Sequence, residues 1–296
     1  MDSMSGAGRL AWNAHTALSS WVFSPFSLVV LAGLVAAASW YLQAEWALCA
    51  SGKRWPGART ASFLAGLVAV DLALQSPVAT FSMWYFQAHV VQHLLLMVVA
   101  PPLLAIGAPL TVFLEKSKKS DRIAALAAVN SKPFQFLTHP VPVWFLYYFS
   151  MFAFFLTSAL NFAMLHIWVM DLVNLAFLFT AAFFWWPLVG IDPVPHSNMS
   201  HGAKLTNLLI GIPVESFLAL ALISDPRPAA SMYTMNSTRA GAAVLWIGAE
   251  LLNLISMVPV SVQWWRSGAR QKRRYDIRYG IGIATAASLS SPSPEI

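Results

Sequence analysis

The chain has 296 residues, of which 58% are hydrophobic and 10% are charged. A soluble domain usually carries about a quarter of charged residues, so this composition indicates an integral membrane protein. The single cysteine, Cys49, excludes an intrachain disulfide and a CxxC metal site. The net charge of +6 comes from clustered lysines and arginines. It leaves no folded basic face for nucleic acid, so we expect no nucleic-acid partner.

Seven apolar stretches approach the roughly 20 residues that a helix needs to cross a bilayer. They cover about 22–48, 61–76, 87–114, 139–158, 164–189, 205–223 and 241–265. The sequence therefore predicts an all-α polytopic membrane helix bundle with about seven transmembrane helices. We divide it into a polar N-terminal segment, 1–20, a membrane domain, 21–265, and a basic tail, 266–296, which we expect to be disordered because its composition cannot build a core.

Positive charge is concentrated in alternate connections. The loops at 49–60 and 115–138 and the tail together contain 14 of the 18 lysines and arginines. Because such residues stay on the cytoplasmic side of a membrane, the pattern predicts the N-terminus outside and the C-terminus inside. In this orientation the third stretch begins at the outer face.

The third stretch opens with two histidines, His89 and His93. A spacing of four places both imidazoles on one helical face. Polar rings in an apolar setting are costly unless they find partners, so the pair indicates a site. Val90 stands where a zinc protease would have its catalytic glutamate, which argues against that chemistry. We expect the helix to break or kink at Pro101-Pro102.

Further candidate ligands fall on the same side of the membrane. His166 begins the fifth stretch, Asp171 follows it in the outer half, and Met97 lies one turn below His93. Imidazole with thioether is a ligand set that suits copper, Cu(I) especially. We therefore take His89, His93, His166, Met97 and Asp171 as candidate metal ligands, and a transiently bound Cu(I) as the candidate metal.

Other polar residues of the spans and loops leave several interpretations open. For Asp71, Asp171 and Glu215, a functional role and a helix-joining hydrogen bond are equally consistent with the sequence. For the remaining acids of the spans, Glu45 and Glu250, we expect the structural role. The inner-side histidines, His139, His196 and His201, are expected to be structural or solvated.

The run from His89 to Leu110, HVVQHLLLMVVAPPLLAIGAPL, resembles the signature of the CtaG family of cytochrome c oxidase assembly factors. Weaker matches are Ser76-Pro77, His139-Pro140, Phe184–Pro187, Gly190–Pro193, Gly248–Glu250 and Val262–Ser267. The resemblance implies a multi-pass protein of the bacterial plasma membrane that matures caa-type oxidase through copper delivery or copper-site formation, and that is not an enzyme. It carries over to His89, Gln92, His93, Pro101, Pro102, Gly107 and Pro109.

Two positions depart from the family pattern. Asn174 and Glu215 occupy regions where many members have histidines. Our leading hypothesis is a membrane assembly factor and copper chaperone of the respiratory chain that works with cytochrome c oxidase subunits within membrane lipid. The alternatives are a metal-ion or proton transporter, and a haem- or quinone-binding membrane protein.

Overall fold

The computed structural model describes residues 19–279, and within that range the regular structure is helical. The helices are α1 Pro25–Ala50, α2 Gly57–Leu74, α3 Pro77–Ser82, α4 Phe86–Leu94, a π-helical segment Leu95–Val99, α5 Ala100–Ile106, α6 Pro109–Lys116, α7 Lys119–Val129, α8 Lys132–Leu137, α9 Pro140–Phe155, α10 Ala159–Leu165, α11 Ile167–Val189, α12 His201–Ser224 and α13 Met235–Tyr279.

Six helical spans of this range are long and apolar enough to cross a membrane, and α9 with α10 supplies a seventh if that pair is one span. The pair is bent by 70° at its break. The predicted all-α bundle with about seven spans is thus confirmed. The assignment of inside and outside stays a prediction from loop charge.

Three segments, two connections and the start of the C-terminal tail, differ from the sequence expectations. The basic stretch at 115–138 forms α7 and α8, because it is rich in alanine and other helix formers and supplies Pro133 for the first turn of α8. The stretch at 159–163 lies in α10. Helix α13 continues beyond 265 to Tyr279, where we expected a disordered tail, because its arginines and lysines favour helix. The remainder of that tail, 280–296, and residues 1–18 of the polar segment lie outside the described residues.

The third span deviates from regular helix where the prolines require it. Pro101 has no N–H, so the Met97 carbonyl four residues earlier lacks its helical donor. The Trp185 indole donates to this carbonyl at 2.8 Å and the Tyr147 hydroxyl lies 3.5 Å from it. The chain passes through a π-helical turn and then resumes as α5. The full break comes later, at Ala108, whose φ of 51° is left-handed.

The segment after this break is held by a carboxylate from a distant loop. Asp192 is buried, and its oxygens accept hydrogen bonds from the Leu110 amide at 3.2 Å and the Thr111 amide at 2.7 Å. The Thr111 hydroxyl and the Trp186 indole donate to the same carboxylate, at 2.5 and 2.9 Å. Asp192 therefore supplies the anion that the first turn of α6 needs.

Candidate metal site

His89 and His93 lie in the interior of the bundle on α4. Their exposed fractions are 0% and 1%, and their Nε2 atoms are 2.9 Å apart. One Nε2 must therefore carry the proton that it donates, while the other is bare and accepts it. The predicted shared face of the two imidazoles is confirmed.

The other nitrogen of each ring is left without a hydrogen bond. Both Nδ1 atoms are buried and have no hydrogen-bond partner among the described residues. A buried polar atom without a partner costs about 1–3 kcal/mol, and such atoms call for an explanation in a native structure. The two imidazoles thus have ring nitrogens that the protein leaves unused and that could serve as metal ligands.

Aromatic side chains enclose the histidine pair. The ring of His93 meets Phe154, Phe155 and Phe177 edge-on, at centroid distances of 5.6, 5.3 and 4.9 Å. His89 contacts the same Phe154 and Phe155 rings at 6.1 and 6.0 Å. Because these rings pack directly on the imidazoles, a porphyrin could reach neither histidine without displacing them.

The N-terminal end of α4 is fixed by contacts with α13 and the segment before it. The Phe86 amide donates to the Ser237 hydroxyl at 2.8 Å, and a Cβ on Gly241 would lie 2.3 Å from the Phe86 ring. Tyr233, whose ring is 6.2 Å from that of His89, donates to the Ser82 carbonyl at 2.6 Å. The site is therefore built on packed helices, which limits its movement.

Gln92 and Met97 belong to the scaffold of this site. The Gln92 side chain is buried and donates to the Ala73 carbonyl on α2 at 2.9 Å, which leaves its Oε1 without a partner among the described residues. Met97 is 1% exposed and contributes the carbonyl that Trp185 binds. Its role as a thioether ligand stays a prediction.

His166 and Asp171 are not part of any three-residue cluster of potential metal ligands among the described residues. His166 is half-buried between α10 and α11, where its Nδ1 is 2.9 Å from the Phe162 carbonyl and its ring is tilted by 33° against the Phe162 ring, with centroids 4.3 Å apart. Asp171 is half-buried on α11. Within residues 19–279, no three side chains of His, Cys, Asp or Glu come close enough to hold a metal ion together. The structure thus places a pair of histidines, and the participation of His166 and Asp171 stays a prediction.

Three acids of the spans, Asp71, Glu215 and Glu250, have hydrogen-bond partners on their own or neighbouring helices. Glu215 is 3% exposed and accepts from the Asn253 amide at 2.6 Å, which joins α12 to α13. Glu250 accepts from the Ser216 hydroxyl at 2.6 Å across the same contact. Asp71 accepts from the Gln75 amide at 2.8 Å. These hydrogen bonds favour a structural interpretation for all three acids.

Sequence reasoning missed the aromatic enclosure. The run Phe152–Phe155 in α9 was visible as apolar sequence, but apolar residues fill every span, so only the tertiary contact marks Phe154 and Phe155 as part of the site. Asn174 is buried, and its Oδ1 has no partner among the described residues.

The fold and this site define a multi-pass helical membrane protein that buries a pair of histidines in an aromatic environment. A family model described as cytochrome c oxidase caa3 assembly factor matches residues 39–267. The chain belongs to this family, and the resemblance found from the third-span motif is confirmed.

The chain is also similar to proteins of mycobacteria. An uncharacterised protein of Mycobacterium leprae is 25% identical over 246 residues, covering 77% of this chain and 37% of that protein. Uncharacterised proteins of Mycobacterium bovis and Mycobacterium tuberculosis are each 24% identical over 277 residues, 88% of this chain and 41% of theirs. The chain thus spans about two fifths of the length of these curated relatives. No solved structure matches it significantly.

Proposed function

We propose that this chain is a non-catalytic assembly factor of the bacterial plasma membrane that holds copper, as cargo for a haem–copper oxidase, at His89 and His93. The observation that carries the proposal is the buried imidazole pair itself, with Nε2 atoms 2.9 Å apart and both Nδ1 atoms without partners among the described residues. The description of the family as cytochrome c oxidase caa3 assembly factors supports an oxidase as the client.

The surroundings of the pair favour Cu(I) over harder cations. The rings that contact the imidazoles belong to phenylalanines and Tyr233, and oxygen-rich sites are what Mg²⁺ and Ca²⁺ require. Imidazole suits copper, and Cu(I) accepts a soft, apolar site that excludes hard cations. A singly charged ion also costs less to bury in such an environment than a divalent one.

A cavity beside the site offers an approach for the metal or its donor. It has a volume of about 510 Å³, and Phe155, which contacts both histidines, lines it together with Asn161, Asp225, Arg227 and Ser231. At this mouth Asp225 forms an ion pair with Arg227, and hydrogen bonds from the Arg227 amide and side chain lower the pKa of the Asp225 carboxyl. In the orientation predicted from loop charge this mouth faces outward.

Copper loading of the purified protein tests this function. The protein in detergent is incubated with Cu(I) under reducing conditions, desalted and analysed for metal. We expect wild type to retain copper close to one per chain, and His89→Phe and His93→Phe to lose it, because phenylalanine fills the aromatic enclosure without a nitrogen donor. His201→Phe, at the start of α12, is the matched control and should retain the metal.

The same variants test the cellular role. In cells that lack the native copy, wild type should restore the copper content and activity of the oxidase, and His93→Phe should not, at equal protein levels. Full copper retention by both pair variants would overturn the proposal, and so would an oxidase that matures normally with them.

A further inference from the structure

Two adjoining cavities lie at the basic end of the bundle, away from the histidine pair. One has a volume of about 400 Å³ and an apolar lining that includes Leu146 and Phe149. The other has a volume of about 420 Å³ and a lining that includes Lys132, Gln135, His139 and His196. Phe136 and Pro142 line both. The two cavities therefore form one groove, apolar at one end and polar at the other.

The polar end presents hydrogen-bond donors and positive charge. His139 caps α9 by accepting from the Val141 amide through Nδ1 at 3.3 Å, so in the neutral ring its Nε2 carries the proton. Lys132 adds an ammonium and Gln135 an amide. The His139 ring packs edge-on against His196 at 4.9 Å. This end is thus suited to an anionic oxygen-rich group.

His196 is held in an unusual backbone conformation beside these donors. Its φ of 61° lies in the left-handed region, which non-glycine residues seldom adopt and which concentrates at functional sites. Burial and the neighbouring His139 lower its pKa, which favours the neutral imidazole. Lys132 therefore supplies the positive charge at this end of the groove, and His196 does not add to it.

The apolar end lies on the side of α9 that faces away from the bundle. Phe145 and Phe149 are 61% and 70% exposed, and Phe136 on α8 is 65% exposed. In a span of this hydropathy such side chains face the hydrocarbon of the bilayer. A hydrocarbon chain, unlike a water-soluble phosphate compound, would gain from lying along these rings.

We propose that this groove is a binding site for an acidic glycerophospholipid, whose phosphate binds Lys132, Gln135 and His139 while an acyl chain lies along Phe136, Leu146 and Phe149. Charge complementarity supports this occupant. The groove adjoins the most basic connection within the bundle, which also holds Lys116, Lys118, Lys119 and Arg122, and basic pockets beside spans recognise anionic headgroups.

Native mass spectrometry of the purified protein with defined lipids tests this site. We expect wild type to retain phosphatidylglycerol at least severalfold better than phosphatidylcholine. Lys132→Gln should abolish that preference, because it removes the ammonium from the polar end. Lys119→Gln makes the same charge change on the neighbouring helix outside the groove and should leave the preference intact.

A second variant separates a lipid site from a site for free phosphate compounds. Leu146→Trp fills the apolar end at a side chain that is 45% exposed, so the fold should tolerate it, and lipid retention should fall. Glycerol 3-phosphate should not displace the lipid. Equal loss with Lys119→Gln and Lys132→Gln, unchanged retention with Leu146→Trp, or displacement by glycerol 3-phosphate would each overturn the proposal.

Discussion

The Met97 carbonyl is the point at which the sequence of the third span conflicts with regular helix, and replacing its donor has a calculable cost. Trp185→Phe removes the indole N–H that binds this carbonyl at 2.8 Å. Pro101 cannot replace that donor, and the Tyr147 hydroxyl, at 3.5 Å, is at the limit of a hydrogen bond. A buried acceptor without a partner costs about 1–3 kcal/mol.

The substitution also removes buried volume, so a control must account for packing. Trp144→Phe makes the same chemical change at an indole whose N–H has no partner among the described residues, so it loses no hydrogen bond. Unfolding of the purified variants in mixed detergent, followed by circular dichroism, gives both changes in stability. We expect Trp185→Phe to destabilise the protein more than Trp144→Phe by at least about 1 kcal/mol.

A third variant isolates the hydrogen bond from the difference in burial between the two tryptophans. Pro101→Ala restores an N–H four residues after Met97, where regular helix would supply it. In this background Trp185→Phe should cost less, by about 1 kcal/mol or more, because the carbonyl has a second donor. If Trp185→Phe costs the same in the wild-type background and in the Pro101→Ala background, the account of the carbonyl is refuted.

Two further substitutions test other contacts that position the site. Asp192→Asn should destabilise the protein by about 1.5–3 kcal/mol and speed amide exchange at Thr111, because the asparagine NH2 group cannot accept the hydrogen bonds that the carboxylate accepts. Unchanged exchange at Thr111 would contradict the capping role. Gly241→Ala should cost about 1–3 kcal/mol by pressing on Phe86 and should weaken copper retention, whereas Gly33→Ala, with open space around its Cβ, should be neutral or stabilising in the same unfolding assay.

Much of the architecture could be predicted because the bilayer constrains it. Long apolar runs must be helical in a membrane, since every backbone group needs an internal partner, and this identified the spans without any tertiary information. The 70° bend between α9 and α10 escaped prediction. The break contains the polar residues Thr157 and Ser158, and the predicted apolar stretch ends at 158, but hydropathy carries no information on the angle between the two helices.

The sequence could predict only those features of the site that depend on the spacing of residues within one helix. The spacing of His89 and His93 determines their shared face, and this held. The donors to the Met97 carbonyl come from residues 50 and 88 positions away, and no periodicity connects them. Depth in the membrane places His166 toward the same end of the spans as the pair, but depth alone does not fix which side of a helix faces inward, so its participation stays a prediction.

X-ray absorption at the copper edge of the Cu(I)-loaded protein reports directly whether the buried histidine pair binds the metal. Wild type and His201→Phe, which keep the histidine pair, should show scattering from imidazole ligands, and His93→Phe should lose it. Copper bound with no imidazole signature, or with a spectrum that His93→Phe leaves unchanged, would contradict the assignment of the buried pair as the copper site.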